Sequence, residues 1–289
     1  MADLMAAPLV PPPLMPASAR LSVVIVSYNT QADLERCLRS LSDTPPAIVL
    51  DVVVVDNASG DGSPEWVRAN CPAVRLIEAG ANIGFARANN LGIRATASEF
   101  VLLLNPDTVV PPSAIDRMVG LLDRHPGVAA LGPRLIDGAG NPELSWGAMI
   151  SPAAEWRQKR LVRRLAARDA TTLAEVDRMS REERVVDWVS GACLLVRRAA
   201  AEAVGLLDER FFMYTEDVDF CASLRARGGQ ILFSPAAEII HLRGRSAATA
   251  PAATHTRYRQ SQLAFYRKHH PRWAPLLRLY LALRGVRVE

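Results

Sequence analysis

LSVVIVSYNT, residues 21–30, is a short run of mostly β-branched residues that breaks off abruptly into polar side chains. So short and so apolar a run fits a strand buried on both faces, as in a parallel sheet. Thr30 with Asp33 three residues later marks a helix start, and Leu34, Cys37, Leu38 and Leu41 then recur at helical spacing. Outward from this unit the pattern repeats. Leu50–Val55 (LDVVVV) reads as a second strand, and Ser63-Pro64 opens a helix, with Pro64 where a missing N–H costs nothing. Val74–Ile77 is a third strand, Phe85–Ala97 a helix and Phe100–Leu104 (FVLLL) a fourth strand. A helix from about Ser113 follows, with Ile115, Met118, Val119 and Leu122 on one face. Strands alternating with helices through residue 132 predict an α/β fold with a doubly wound, mostly parallel central sheet. Functional residues in such a sheet belong at the carboxyl ends of its strands.

Beyond residue 133 the pattern loosens. Arg157–Arg184 reads as a charged helical insertion whose apolar positions are irregularly spaced. Val185–Val196 (VVDWVSGACLLV) returns to strand composition, Glu216–Arg227 is a helix, Ile231–Phe233 and Ile239–Leu242 are two short strands, and the tail from Thr256 is helical.

Composition bounds the class. With 289 residues, 49% of them hydrophobic, the chain can bury one large α/β core or two small ones. The net charge is +4, and Lys159 and Lys268 are the only lysines among 34 cationic residues. Cys37, Cys71, Cys193 and Cys221 show no CxxC pair, which predicts reduced thiols and a cytosolic compartment. Residues 1–20 are rich in Pro, Ala and Met without a basic start or an apolar core, so they read as a disordered leader rather than a signal peptide. No stretch approaches the roughly 18 apolar residues of a membrane span.

Polar clusters stand at the ends of these strands. Asp56-Asn57-Ala58-Ser59-Gly60-Asp61-Gly62-Ser63 directly follows the second strand. Its first carboxylate is placed to accept from a base N–H or a ribose hydroxyl, although a polar strand-to-helix turn explains the same residues. In Asn82–Asn90 (NIGFARANN), Gly84, Ala86 and Ala88 allow close backbone approach, and two adjacent asparagines are poor helix formers, which favours a functional reading. Asn105-Pro106-Asp107 ends the most apolar strand, where a carboxylate needs solvent, a donor or a metal. Asp107 is therefore a candidate ligand for a hard divalent cation, with a simple turn residue as the alternative. Tyr214–Asp219 (YTEDVD) places three carboxylates in the first turn of a helix, whose dipole favours their ionised form and so a general base. His241 ends a short apolar strand and is either a metal ligand or a structural histidine.

In their order, VSYNT (Val26–Thr30), VDNASGDGS (Val55–Ser63), NIGFARANN, LNPDT (Leu104–Thr108), VSGACLLVRR (Val189–Arg198), FFMYTEDVDF (Phe211–Phe220) and HLRGRS (His241–Ser246) resemble family 2 glycosyltransferases, and among them the bacterial rhamnosyltransferase-like branch. The resemblance covers roughly residues 21–270. It implies a GT-A fold with a mixed C-terminal acceptor-binding part and a helical tail. The implied division is a nucleotide-sugar-binding part over 21–132, an acceptor-binding and catalytic part over 133–250, and a basic amphipathic tail over 251–289. It also implies a nucleoside-diphosphate sugar bound with Mg²⁺ or Mn²⁺. By motif position, Ser27, Tyr28, Asn29, Asp56, Asn57, Ser59, Asn82, Gly84, Phe85, Ala88, Asn89, Asn105 and Asp107 line the nucleotide-sugar site. Asp107 matches the last acidic residue of a DxD motif whose first position here is Asn105. His241 completes the metal site, Asp217 is the catalytic base, and Trp188, Gly191, Ala192 and Glu216 shape the acceptor pocket.

The implied reaction is transfer of a sugar with inversion and without a covalent enzyme intermediate. By branch the donor is dTDP-L-rhamnose and the acceptor a cell-envelope polysaccharide or a polyprenyl-diphosphate-linked glycan. A UDP-hexose or UDP-galactofuranose donor and a non-catalytic nucleotide-sugar-binding protein are the competing readings. A dinucleotide-dependent oxidoreductase is disfavoured, since no GxGxxG follows the first strand. The tail from Arg257 to Arg287 interleaves arginines with Tyr258, Phe265, Tyr266, Trp273 and several leucines. It either rests peripherally on the anionic inner leaflet or packs on the catalytic domain with its arginines in water. No nucleic-acid-binding motif accompanies it.

Overall fold

A computed structural model describes residues 19–242, 251–284 and 286. The leader up to residue 18, Arg243–Ser246 of the HLRGRS motif and Arg287 lie outside the described residues. The first half builds four parallel strands: β1 (Leu21–Ser27), β2 (Leu50–Asp56), β3 (Arg75–Glu78) and β4 (Phe100–Leu104), in the order β3-β2-β1-β4. Every residue of β1 and β4 is buried, as their unbroken apolar runs require. Side chains alternate between the faces. Leu21, Val23 and Ile25 pack with Leu34, Cys37, Leu38 and Leu41 of α1 (Gln31–Ser42), whereas Val24 and Val26 pack with Ala86, Ala88 and Ile93 of α3 (Phe85–Arg94). The third crossover helix, α2 (Ser63–Asn70), carries Pro64 in its first turn.

The chain continues through β5 (Thr108–Val109), α4 (Ala114–Arg124), β6 (Val128–Ile136), β7 (Trp146–Gly147), α5 (Pro152–Ala166), α6 (Ala170–Met179) and β8 (Arg184–Val186). Then come β9 (Trp188–Val189), β10 (Cys193–Arg197), α7 (Arg198–Ala203), α8 (Glu216–Ala226), β11 (Gln230–His241), α9 (Pro251–His269) and α10 (Ala274–Leu283). The sheet extends past β4 as β10-β6-β11-β5, with β10 antiparallel to both neighbours, β6 parallel to β11 and β5 antiparallel to β11. A doubly wound, mostly parallel half is thus joined to a mixed half, as the sequence predicts.

Two stretches take a different form from the sequence reading. Ile231–Phe233 and Ile239–Leu242 are not separate strands. They are the two ends of β11, whose register against β6 shifts between Ser234 and Glu238, where Pro235 cannot donate to the ladder. The Arg157–Arg184 stretch forms two capped helices: Ser151 accepts from the Ala154 N–H at the start of α5, and Asp169 accepts from the Thr172 N–H at the start of α6. No residue of α5 is fully buried, so its sequence was free of the spacing that would have marked it. In the tail, α9 packs on the domain, one of the two readings of its sequence. Leu263, Phe265 and Tyr266 join the core, while Lys268 and His269 bond to Asp219 of α8 at 2.8 and 2.6 Å.

Gly92 fixes how closely α3 approaches the sheet, because a Cβ there would lie 2.5 Å from Val24 Cγ1 and 3.2 Å from Val55 Cγ2. Gly92→Ala is expected to destabilise the protein by about 1–3 kcal/mol through overpacking. Denaturant unfolding checks this; an unchanged midpoint would show that α3 lifts off the sheet without cost.

Candidate active site

Each parallel strand ends in a short polar turn, and these turns are bonded to one another. At the end of β1, Ser27 Oγ lies 3.1 Å from Thr30 Oγ1. Asn29, at φ 53°, donates its N–H to Ser59 Oγ (2.9 Å) and accepts from the Gly60 N–H (2.8 Å). Tyr28 beside it is exposed. Asp56, the last residue of β2, accepts from the Ser59 N–H at 2.9 Å through Oδ2. Its Oδ1 is buried and has no hydrogen-bond partner among the described residues.

Asn57 links this turn to the next one, accepting from the Ile83 N–H and donating to the Gly84 carbonyl, both at 3.3 Å. Asn82 accepts from the Gly84 N–H at 3.2 Å. Gly84 has φ 88°, and a Cβ there would meet the Phe212 carbonyl at 2.6 Å, so only glycine lets Phe85 donate its N–H to that same carbonyl. Behind Phe85 the structure parts from the sequence reading. Ala88 is sealed in the core, and Asn89 donates to the Phe85 carbonyl of its own helix. Asn90 exchanges two hydrogen bonds with the Leu207 backbone at 2.8 and 3.0 Å. These three lie beneath the site and do not reach its surface. Of the two adjacent asparagines, Asn90 anchors the 207–209 loop to α3.

Past β4, Asn105 donates its N–H to the Ala192 carbonyl at 2.9 Å. Asp107 Oδ1 stands 3.3 Å from His241 Nε2, and His241 Nδ1 is 2.9 Å from Glu143 Oε2. Burial alone pulls the His241 pKa down. The hydrogen bonds and charges of Asp107 and Glu143 outweigh it and push the imidazole up to about 9. Glu143 escaped the sequence reading because a single carboxylate in the loop after β6 carries no pattern of its own. Among the described residues no group of three or more His, Cys, Asp or Glu side chains is arranged to hold a metal. Asp107 and His241 bring two potential donors together. A hard carboxylate oxygen and an imidazole braced from behind by a carboxylate fit Mg²⁺ or Mn²⁺, provided ligand oxygens fill the remaining positions.

The third part of the site is the start of α8. Tyr214 and Thr215 both adopt left-handed backbone at φ 70° and 71°, a costly conformation for residues other than glycine, and it turns the next two side chains inward. Asp217 is half-buried, and the desolvation of its carboxylate raises its pKa. The Gly191 N–H on Oδ2 (2.9 Å) and the Val218 N–H on Oδ1 (2.8 Å) work against that rise. Glu216 is buried, its Oε2 has no partner among the described residues, and burial together with the Asp217 charge raises its pKa well above the usual range. Asp217 lines a cavity of about 410 Å³ with Trp188, Ser190, Tyr214 and Tyr258. Trp188 is fixed there by its indole N–H on the Ala148 carbonyl at 2.9 Å. A Cβ on Gly191 would stand 3.3 Å from Asp217 Cβ and 3.6 Å from Phe85 Cε1, so the Phe85 ring, the 190–192 turn and the Asp217 carboxylate converge.

The pattern described as "Glycosyltransferase like family 2" matches residues 17–275. The chain is 36% identical, over a 295-residue alignment, to the N-acetylglucosaminyl-diphospho-decaprenol L-rhamnosyltransferase of Mycobacterium tuberculosis, covering 92% of this chain and 91% of that protein. It is 28% identical over 225 residues to the low-salt glycan biosynthesis hexosyltransferase Agl10 of Haloferax volcanii, covering 76% and 66%. In fold it is similar to the mannosyltransferase PcManGT from Pyrobaculum calidifontis, solved in complex with GDP-Man and Mn²⁺. There the TM-score is 0.60 and the identity 21%, with 91% of this chain and 69% of that one covered. It is also similar to GalNAc-T7, solved with UDP, GalNAc and Mn²⁺, at a TM-score of 0.58 and 16% identity, covering 86% and 48%.

Glu216 gives the site a measurable stability signature. A carboxyl whose pKa is raised on folding contributes stability that is complete below its unfolded pKa and is lost as pH rises through the folded one. Glu216→Gln removes that loss, so its melting temperature should exceed the wild type's by a margin that grows from pH 4.5 to pH 8. Thermal melts across that range test this, and a margin independent of pH would refute the buried, ionisable state of Glu216.

Proposed function

The chain belongs to glycosyltransferase family 2, and from that premise we propose that it transfers L-rhamnose from dTDP-rhamnose, with inversion, to an N-acetylglucosaminyl group on a polyprenyl diphosphate. The mycobacterial rhamnosyltransferase, 36% identical along nearly the whole of both chains, supports L-rhamnose as the sugar and a polyprenyl-linked N-acetylglucosaminyl acceptor, and the dTDP carrier and inversion follow from the family resemblance. The observation that carries the chemistry is Asp217: a half-buried carboxylate oriented by two backbone N–H groups, facing a cavity and bonded through the 190–192 turn to the strand end that bears Asp107.

In this mechanism the unpaired Oδ1 of Asp56 accepts from the base or ribose of the donor, and the Gly84-Phe85 turn supports the nucleotide sugar. Asp107 and His241 would hold a divalent cation, which supplies charge neutralisation for the departing diphosphate. Asp217 accepts the proton of the acceptor hydroxyl as its oxygen bonds to the anomeric carbon. The bond from that carbon to the diphosphate oxygen breaks on the opposite face, so one displacement inverts the configuration. Trp188 and Tyr214 wall the acceptor sugar. The burial that raises the Asp217 pKa makes its carboxylate a stronger base than an exposed aspartate, while the Gly191 and Val218 N–H groups keep it aimed. Among the described residues no helix is long and apolar enough to cross a membrane. A polyprenyl-linked acceptor would accordingly be met by peripheral attachment at the cytoplasmic leaflet.

Purified protein supplied with dTDP-rhamnose and a lipid-linked acceptor should form product with inverted anomeric configuration. Chelation should abolish turnover, and Mn²⁺ or Mg²⁺ should restore it. Asp217→Asn should lower kcat by roughly 10²–10⁴-fold with little change in donor KM. Only the ionised carboxylate accepts a proton, so the wild-type rate should fall on the acid side at a pH above the ~4 of an ordinary aspartate. Near-normal turnover by Asp217→Asn would sink the assignment, and transfer from UDP-sugars alone would replace the donor.

A further inference from the structure

Helix α5 separates two cavities. The Asp217 cavity lies on one side, and on the other a larger one of about 840 Å³ opens between α5, α9 and α10. Glu155, Lys159 and Arg163, spaced four residues apart and hence on one helix face, line both. The larger cavity joins two chemistries. Lys159, Arg160, Arg163, Arg164 and Arg259 give it cations, against Glu155 as its one carboxylate. Glu155 is occupied by Gln262 (2.6 and 2.8 Å), Tyr266 and Lys159. Arg164 pairs with Asp169 and Arg160 lies over the Trp156 ring, whereas Arg163 has no ion pair among the described residues. The opposite wall is apolar. It is built by Trp273, Leu276, Leu277 and Tyr280, of which Trp273 and Leu276 are 50% and 57% exposed, while Trp156 of α5, 65% exposed, stands beside the cations. Of the ten residues of α10 only Ala274 and Leu281 are buried.

A solvated basic helix face would account for the cations, but not for an apolar wall brought against them by a different helix. Large exposed aromatic and aliphatic groups gathered in one groove mark a binding surface. A groove that sets a cationic helix face against an apolar wall fits an amphiphile whose head is a multivalent anion. Resting on the proposed transfer to a lipid-linked acceptor, we infer that the groove between α5 and α10 is the acceptor's lipid-diphosphate site. Lys159 and Arg163 grip the diphosphate, and Trp156, Trp273, Leu276 and Tyr280 line the first isoprenoid units. The shared α5 face then sets the sugar on the other side of the diphosphate, in the cavity of Asp217. The apolar surface of α10 carries the chain outward towards the bilayer.

The test uses the full chain without divalent metal, so that the Asp107–His241 site does not compete. Farnesyl diphosphate is titrated while tryptophan fluorescence is followed. Binding should saturate, and inorganic diphosphate and farnesol should each bind far more weakly. Loss of two charge-assisted contacts in Lys159→Gln/Arg163→Gln should weaken farnesyl diphosphate binding about tenfold or more. Arg157→Gln, on the same helix but outside both cavities, should bind as the wild type does. Melting temperatures identify any variant that fails to fold, and Arg163→Gln alone then takes its place. Equal affinity in the charge variant and the wild type would overturn the inference. So would inorganic diphosphate binding as well as farnesyl diphosphate, or phosphatidylglycerol vesicles reproducing the signal, which would make this a general membrane surface. Because the probe carries no sugar and the readout needs no turnover, failure here condemns the groove alone. Absence of transfer to a sugar-bearing acceptor would condemn the functional reading instead.

Discussion

Insertion of β10 antiparallel between β4 and β6 is the constraint on which the rest of the structure depends. The pairing of Cys193 with Leu104 runs the chain into β10 directly beside the point where β4 ends. The turn at 190–192 is therefore compelled to lie against Asn105, and it bonds in two directions. Ala192 accepts from the Asn105 N–H, and Gly191 donates to Asp217. Three residues thus fix the distance between the strand end that carries Asp107 and the helix start that carries Asp217. The five fully buried residues of β4 leave this ladder no freedom to slip, since a shift by one residue would send every side chain to the opposite face.

The acidic first turn of α8 shows how one short segment divides three carboxylates by their surroundings. Asp219 is neutralised by Lys268 and His269 of the tail helix, at 2.8 and 2.6 Å. Asp217 is held by two backbone N–H groups, and Glu216 Oε2 has no partner among the described residues. Burying three anions within four residues is costly unless some are paired or protonated. The tail supplies the pairing for one of them, so α9 belongs to the electrostatics of this acidic turn as much as to the core. Backbone strain at Tyr214 and Thr215 persists because the packing on both sides determines it.

Much of this was legible in the sequence, for physical reasons that can be named. β1, β2 and β4 were readable because strands buried on both faces admit only apolar residues, and the clusters at their ends stood out by contrast. The Asp217 segment was readable through its three acids, although nothing in the sequence said which would be paired. β6 was missed because Val128–Ile136 includes Gly132, Pro133 and Arg134, which break an apolar run without breaking the strand. Glu143 and the Asn90–Leu207 clamp were invisible because each depends on a partner about a hundred residues away. At α5 no residue is fully buried, so no apolar spacing in the sequence marked the face that lines two cavities.

The most direct test of the central claim, that the strand-end pair and the Asp217 carboxylate are the two sides of one transfer site, is a crystal structure with dTDP and Mn²⁺. The expected result is Mn²⁺ bound to an Asp107 oxygen and His241 Nε2, with His241 still braced by Glu143. The diphosphate should complete the coordination shell, the nucleoside should lie against Asp56, and the terminal phosphate should face the cavity of Asp217. Nucleotide bound elsewhere, with Asp107 and His241 still paired to each other, would contradict it.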